Sequence, residues 1–249
     1  MNQLIQTLRY LFGSLWLVLS LFVTIGVVWW ALAQAHFLYP VWHDHAGIAE
    51  TIERHAPDNH FKSDFALTSA DTRYQLFAGI VGAIHQQGEG LTQLTYQTPE
   101  QTVPLLRPVE IEHLKAVAAI VERGTDLWWW GLLAWALLTA MLLWQRWTPP
   151  PKQAWWLLLG LGVVGGLAWL TIGLEAVFYA LNEALFPASH QWLFDYEESL
   201  MTTLMQAPDL FTWIGATWLG LTLVGFAMTA HAVKALENQL VDKHPPYMV

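Results

Sequence analysis

The sequence predicts an all-α membrane protein, with four transmembrane helices and a mainly helical extracytoplasmic insertion between helices 1 and 2. Three observations predict it. Of 249 residues, 55% are hydrophobic and only 12% are charged, whereas soluble domains carry about 25% charged residues. The apolar residues are gathered into four runs, 11–35, 127–144, 154–181 and 210–230, each close to the roughly 20 residues that a helix needs to cross a bilayer. Many of the 16 Trp stand at the ends of these runs, as Trp29 and Trp30, Trp128 to Trp130, Trp144 and Trp147 do, and indoles favour the membrane–water boundary.

Charge and cysteine content exclude other classes. The net charge of −9 comes mostly from segments between the runs, and no basic stripe is present to hold nucleic acid. Without cysteine there is no disulfide, no thiolate nucleophile and no cysteine-based metal centre.

Residues 1–36 comprise a short N-terminus and the first span. The run closes on ALAQA, a small-residue pattern like a signal-peptidase site, but it is longer than the 7 to 15 residues of a signal core, so an uncleaved span is expected. Residues 37–125 form the polar insertion. Within it Ser69 is an N-cap for a helix burying positions 77, 80, 81 and 84. LTQLTYQ is a strand or extended chain. Pro108 opens a helix, because a first-turn position leaves no N–H to satisfy, and its positions 111, 114, 117, 118 and 121 face inward. Gly124 is expected to bend the chain into the second span, 126–147.

Residues 148–153 make a stiff, proline-rich turn before the third span, 154–181, where Gly162 and Gly166 form a GxxxG pair suited to close helix contact. The loop 182–209 follows, then the fourth span, 210–231, and a tail, 232–249. Arg9, Arg146, Lys152, Lys234 and Lys243 fall on one side of the spans, whereas residues 171–211 contain no Lys or Arg. Basic residues in short loops mark the cytoplasmic side, so both termini are expected in the cytoplasm and the protein in a cell inner membrane. The insertion and the 182–209 loop then share the outer face.

Histidines and carboxylates supply the candidate chemistry. His190 stands in the second outer segment with Asp195 and Glu198 downstream, as general base, metal ligand or ordinary interfacial residue. His113 lies on the helix from Pro108, one turn after Glu110, whose carboxylate is placed to orient an imidazole; the bland alternative is a solvated helix face. Glu175 is a carboxylate inside an apolar run, where ionisable groups are costly and commonly functional. His43 and His45 flank Asp44, with His55 and His60 beyond, but the spacing matches no zinc signature. His36 could pair with His190 as haem ligands, yet His231 has no companion at its depth. No metal and no cofactor are therefore expected. No nucleophile elbow, Walker loop or dinucleotide fingerprint is present.

TSADTRYQLFAGIVGAI, EIEHLKAVAAIV with His113, and ALFPASHQWLF with His190 followed by APDLF occur in this order among the four spans. In this the chain resembles the lipoprotein intramolecular transacylases, bacterial four-span membrane enzymes with an insertion between the first two spans. Ala116 stands where that family carries an acidic residue. The resemblance implies transfer of an acyl chain from the diacylglycerol of a lipoprotein to its N-terminal cysteine amine. His113 and His190 would be the catalytic pair, supported by Glu110, with a diacylated lipoprotein or other membrane lipid as substrate. The competing expectation is a non-enzymatic membrane protein that binds a lipid or protein partner through its insertion.

Overall fold

The computed structural model describes residues 2–186 and 190–243. Of the described residues 78% are helical, three short 3-10 turns included, and the α-helices are α1 (Asn2–Gln34), α2 (Tyr39–His45), α3 (Ile48–His55), α4 (Ala70–Ile84), α5 (Pro108–Gln145), α6 (Pro151–Ile172), α7 (Leu174–Leu185), α8 (Leu200–Met205) and α9 (Asp209–Lys243). A hairpin of β1 (Thr95–Gln97) and β2 (Thr102–Pro104) pairs Tyr96 with Val103 in antiparallel register. Among the described residues, α1, α5, α6 and α9 contain the four segments long and apolar enough to cross a membrane, compatible with a multi-pass membrane protein. At about 1.5 Å per residue, α6 is about 33 Å long, close to the thickness of a hydrocarbon core, whereas α1, α5 and α9 are about 50 Å or longer and extend well beyond it.

Two of the expected boundaries differ. Gly124 does not bend the chain; α5 runs through it without interruption. The expected span 154–181 is two helices, because Gly173 adopts φ 82° and ψ 153°, a region that is essentially glycine-only. The helical hydrogen bonds stop there and restart at Leu174. Pro187, a helix-stopping residue just outside the expected third span, lies outside the described residues, as do residues 244–249 of the tail.

The chain divides into two compact units. The first comprises Met1–Trp30, Thr125–Thr171 and Thr217–Val249. Its core is Trp16, Leu17, Leu142, Ala154, Phe226 and Ala230. Indole N–H groups find acceptors within it: Trp16 donates to Thr139 Oγ1 at 2.7 Å, Trp135 to Ser20 Oγ at 2.8 Å and Trp218 to the Ile25 carbonyl at 2.9 Å. In an apolar solvent such bonds and close packing replace hydrophobic burial as the source of helix association. Gly26 and Gly131 admit the rings of Trp128 and Phe22 against the helix backbone. The Gly162–Gly166 pair does no such thing; among the described residues nothing lies within 4 Å of a side chain built at either glycine.

The second unit comprises Ala31–Gly124 and Ile172–Ala216. Ser69 caps α4 by accepting from the Thr72 N–H at 3.2 Å, and α4 buries Leu76, Phe77, Ile80 and Val81. Tyr39 stacks on Phe77 at 4.0 Å and donates to the Leu204 carbonyl at 2.7 Å, so α2, α4 and the wholly buried α8 share one core. Tyr96 of the hairpin packs edge-on to Phe65 at 5.2 Å and donates to Asp64 at 3.0 Å. Each such ring, fully buried from water, stabilises the unit by about 1.5–3 kcal/mol.

Candidate functional site: a pair of histidines

The first turn of α5 sets up the site. Arg107 precedes Pro108, and Glu110, three residues on, returns its carboxylate to accept the Arg107 backbone N–H at 2.5 Å, the acidic half of a capping box. The Glu110 side chain is wholly buried, and its other oxygen accepts from Ser199 Oγ. Ser199 in turn caps α8 by accepting from the Thr202 N–H at 3.0 Å. One hydroxyl therefore joins the starts of α5 and α8, fixing the 195–205 segment to the helix that carries His113. Arg107 adds a 3.4 Å ion pair to Glu198, and the His60 N–H donates to the Glu197 carbonyl at 2.8 Å.

One turn beyond Glu110, the buried face of α5 reaches His113, which has Leu114 and Ala118 as buried neighbours along the helix. Its Nδ1 lies 3.2 Å from Nε2 of His190, although the two residues are 77 apart in sequence. Phe186 holds both rings: it stacks on His190 at 5.1 Å with an interplanar angle of 16°, and meets His113 at 4.9 Å. Phe194 closes another side of His113 at 5.9 Å. Burial, reinforced by the neighbouring His190, pushes the His113 imidazole down to about 4, because an imidazolium loses its hydration there. His113 lies outside the apolar run 127–144, in the part of α5 that also carries Glu112, Lys115 and Glu122. His113 is neutral at neutral pH, and His190 is only half-buried.

Glu110 is a helix cap and tether, with its carboxylate committed to Arg107 and Ser199 rather than to the His113 ring. Asp195 is exposed and contributes through its carbonyl, which accepts from the Glu198 and Ser199 N–H groups. Glu175 falls in α7, but its side chain lies outside the described residues. His43 is buried, with Nδ1 2.7 Å from Asp44, and Tyr74 donates to the same carboxylate at 2.6 Å; Tyr74, then His43, hold the Asp44 carboxyl below its usual range. His45 is exposed and His55 stacks on Tyr196 at 4.5 Å. Among the described residues no three or more His, Asp or Glu are grouped to hold a metal ion.

Phe186, Phe194 and Ser199 are the site residues that sequence reasoning missed. Phe186 and Phe194 stand four residues on either side of His190 and could have been read as its packing partners; Ser199 carries no local signal of its bond to Glu110. No family model, curated protein or solved structure matches this chain.

Proposed function

We propose that the chain is a bacterial inner-membrane intramolecular acyltransferase. It moves an acyl chain from the diacylglycerol of a lipoprotein to the amine of its N-terminal cysteine, with both of its own termini in the cytoplasm. The reading rests on one observation above all, the 3.2 Å contact between two imidazoles from distant segments, together with the order of the His113 and His190 segments among the apolar runs.

The reaction needs a base for the attacking amine and an acid for the departing glycerol oxygen. Two imidazoles joined by one hydrogen bond supply both when each carries a single ring N–H. If His113 Nδ1 carries the shared hydrogen, His113 Nε2 presents a lone pair and His190 Nδ1 an N–H; if His190 Nε2 carries it, these roles exchange. In either tautomer the pair offers one base and one acid. The amine proton enters one free nitrogen as the C–N bond forms. The shared hydrogen crosses the pair, and the other free nitrogen protonates the glycerol oxygen as the C–O bond breaks. The pair ends neutral in the opposite tautomer, so no charge need be stabilised on the buried His113.

No enzyme nucleophile is required, because the substrate brings its own amine and ester. General acid–base assistance contributes about 10²–10⁴-fold, and holding amine and ester in reacting geometry accounts for much of the remainder. Purified protein in lipid vesicles should convert a diacylated lipopeptide with a free amine to the N-acyl, mono-O-acyl isomer of identical mass, distinguished by fragmentation. The N-acetylated lipopeptide, which lacks the nucleophile, should be left unchanged. Conversion of both, or of neither, contradicts the reading.

A further inference from the structure

Helix α7 carries an exposed apolar stripe. Val177, Leu181 and Leu185 fall at i, i+4 and i+8 and are 42%, 55% and 46% exposed, with Ala180 and Ala184 exposed beside them. Tyr179 and Glu183 lie on the opposite face by helical spacing, Tyr179 half-buried and Glu183 exposed, and Phe178 and Asn182 between the two faces are half-buried. A water-facing helix turns its apolar stripe inward; this one turns it outward over three turns. Exposed aromatic and aliphatic side chains continue the pattern within the same unit: Leu193 is 59% exposed, Trp213 47% and Phe211 40%. Tyr179 meets Trp192 at 5.8 Å, Phe178 stacks on Phe211 at 5.6 Å and Trp42 on Trp213 at 5.4 Å, the residue types that collect at membrane boundaries.

Chain continuity identifies what covers this stripe. One residue, Gly173, separates α7 from Ile172, the last residue of the apolar helix α6, so α7 begins where a membrane-crossing segment ends. Between 171 and 211 there is no Lys or Arg, which removes the attraction to anionic headgroups that draws basic surface helices to membranes.

We infer that α7 is an interfacial helix lying on lipid, its Val177, Leu181 and Leu185 stripe inserted among the acyl chains of the bilayer by apolar contact alone. The inference does not depend on acyl transfer. Its structural consequence reaches the histidine pair, because Phe186, which directly follows α7 and donates its N–H to the Asn182 carbonyl at 2.9 Å, is the ring that touches both imidazoles.

The chain contains no cysteine, so single replacements give unique labels. Val177→Cys, Leu181→Cys, Leu185→Cys and Glu183→Cys, each carrying a nitroxide, are placed in vesicles of zwitterionic phosphatidylcholine and in vesicles with added anionic phosphatidylglycerol. Relaxation by oxygen, which partitions into lipid, is compared with relaxation by a water-soluble nickel chelate. The inference expects the 177, 181 and 185 labels to favour oxygen several-fold more than the 183 label, equally in both lipids. Equal access of nickel to all four positions overturns it. So do immobilised labels at 177, 181 and 185 reached by neither reagent, since a protein partner would then cover the stripe. A requirement for anionic lipid overturns the claim that apolar contact alone seats the helix. None of these readings changes if the lipopeptide assay fails.

Discussion

Nδ1 of His113 and Nε2 of His190 share a hydrogen bond of 3.2 Å with Phe186 packed against both rings. Burial and the neighbouring ring push the His113 imidazole from its usual 6.5 to about 4. Below about 4 the ring is protonated, cannot accept the partner's hydrogen, and the pair no longer offers one base and one acid. Activity attributable to the pair should therefore fall as pH drops through about 4. Stability follows a different window. The unfolded chain protonates His113 from about 6.5 downward and the native state only from about 4, so native stability is undiminished above about 6.5 and declines between these values. The loss is on the order of 3 kcal/mol at most. Thermal unfolding of wild type and His113→Gln at pH 7 and pH 4.5 checks this; the variant should lose less on acidification.

Phe186 is one of the rings that bury His113. Phe186→Ala should let the His113 imidazole rise toward its usual 6.5, moving the acid limb of the activity profile upward, and should lower turnover by roughly tenfold through loss of ring alignment. Phe186→Leu preserves apolar cover and should move the limb less. An unmoved limb in both variants contradicts burial as the cause.

Ser199 caps α8 and donates to the buried Glu110 carboxylate. Ser199→Ala should destabilise by about 1 kcal/mol for the lost cap and about 1–3 kcal/mol for the carboxylate left without its donor, while Ser199→Thr keeps both bonds. The Ser199→Ala and Glu110→Gln effects on thermal stability should be non-additive, as for residues sharing a bond; simple additivity would separate the two residues.

Gly173 and the Gly162–Gly166 pair make opposite predictions. Gly173→Ala forces a side chain into φ 82° and ψ 153° and should cost about 1–3 kcal/mol. Gly162→Ala and Gly166→Ala meet open space in a helix interior and should be neutral or stabilise by up to about 1 kcal/mol. Melting temperatures in detergent test the ranking. Greater damage at 162 or 166 would mean that another helix covers that stripe.

The apolar helices were legible in the sequence because length and composition alone decide whether a segment can cross a membrane, and Ser69 and Pro108 were legible because caps and first-turn prolines act locally. The break at Gly173 was not: a glycine in a glycine-rich apolar run looks like a packing residue until its dihedral angles are seen. Gly124 misled in the opposite direction, since a lone glycine within a strongly helical stretch costs only about 1 kcal/mol and need not end it. His113 and His190 were paired only through the resemblance to a family, because their contact spans 77 residues and no local spacing encodes it. Glu110 shows why the neighbourhood was misread. One turn from His113 it has the spacing of an orienting carboxylate, yet the same spacing from Arg107 makes it a helix cap, and the competing partner, Ser199, is 89 residues away.

The most direct test of the central claim is fragmentation mass spectrometry of a free-amine diacylated lipopeptide after incubation in vesicles with wild type, His113→Ala or His190→Ala, each shown to be folded by an unchanged elution profile. Wild type should give the N-acyl, mono-O-acyl isomer, and each single substitution should reduce its formation at least a hundredfold. Conversion at the wild-type rate by either variant would contradict the histidine pair as the catalytic centre.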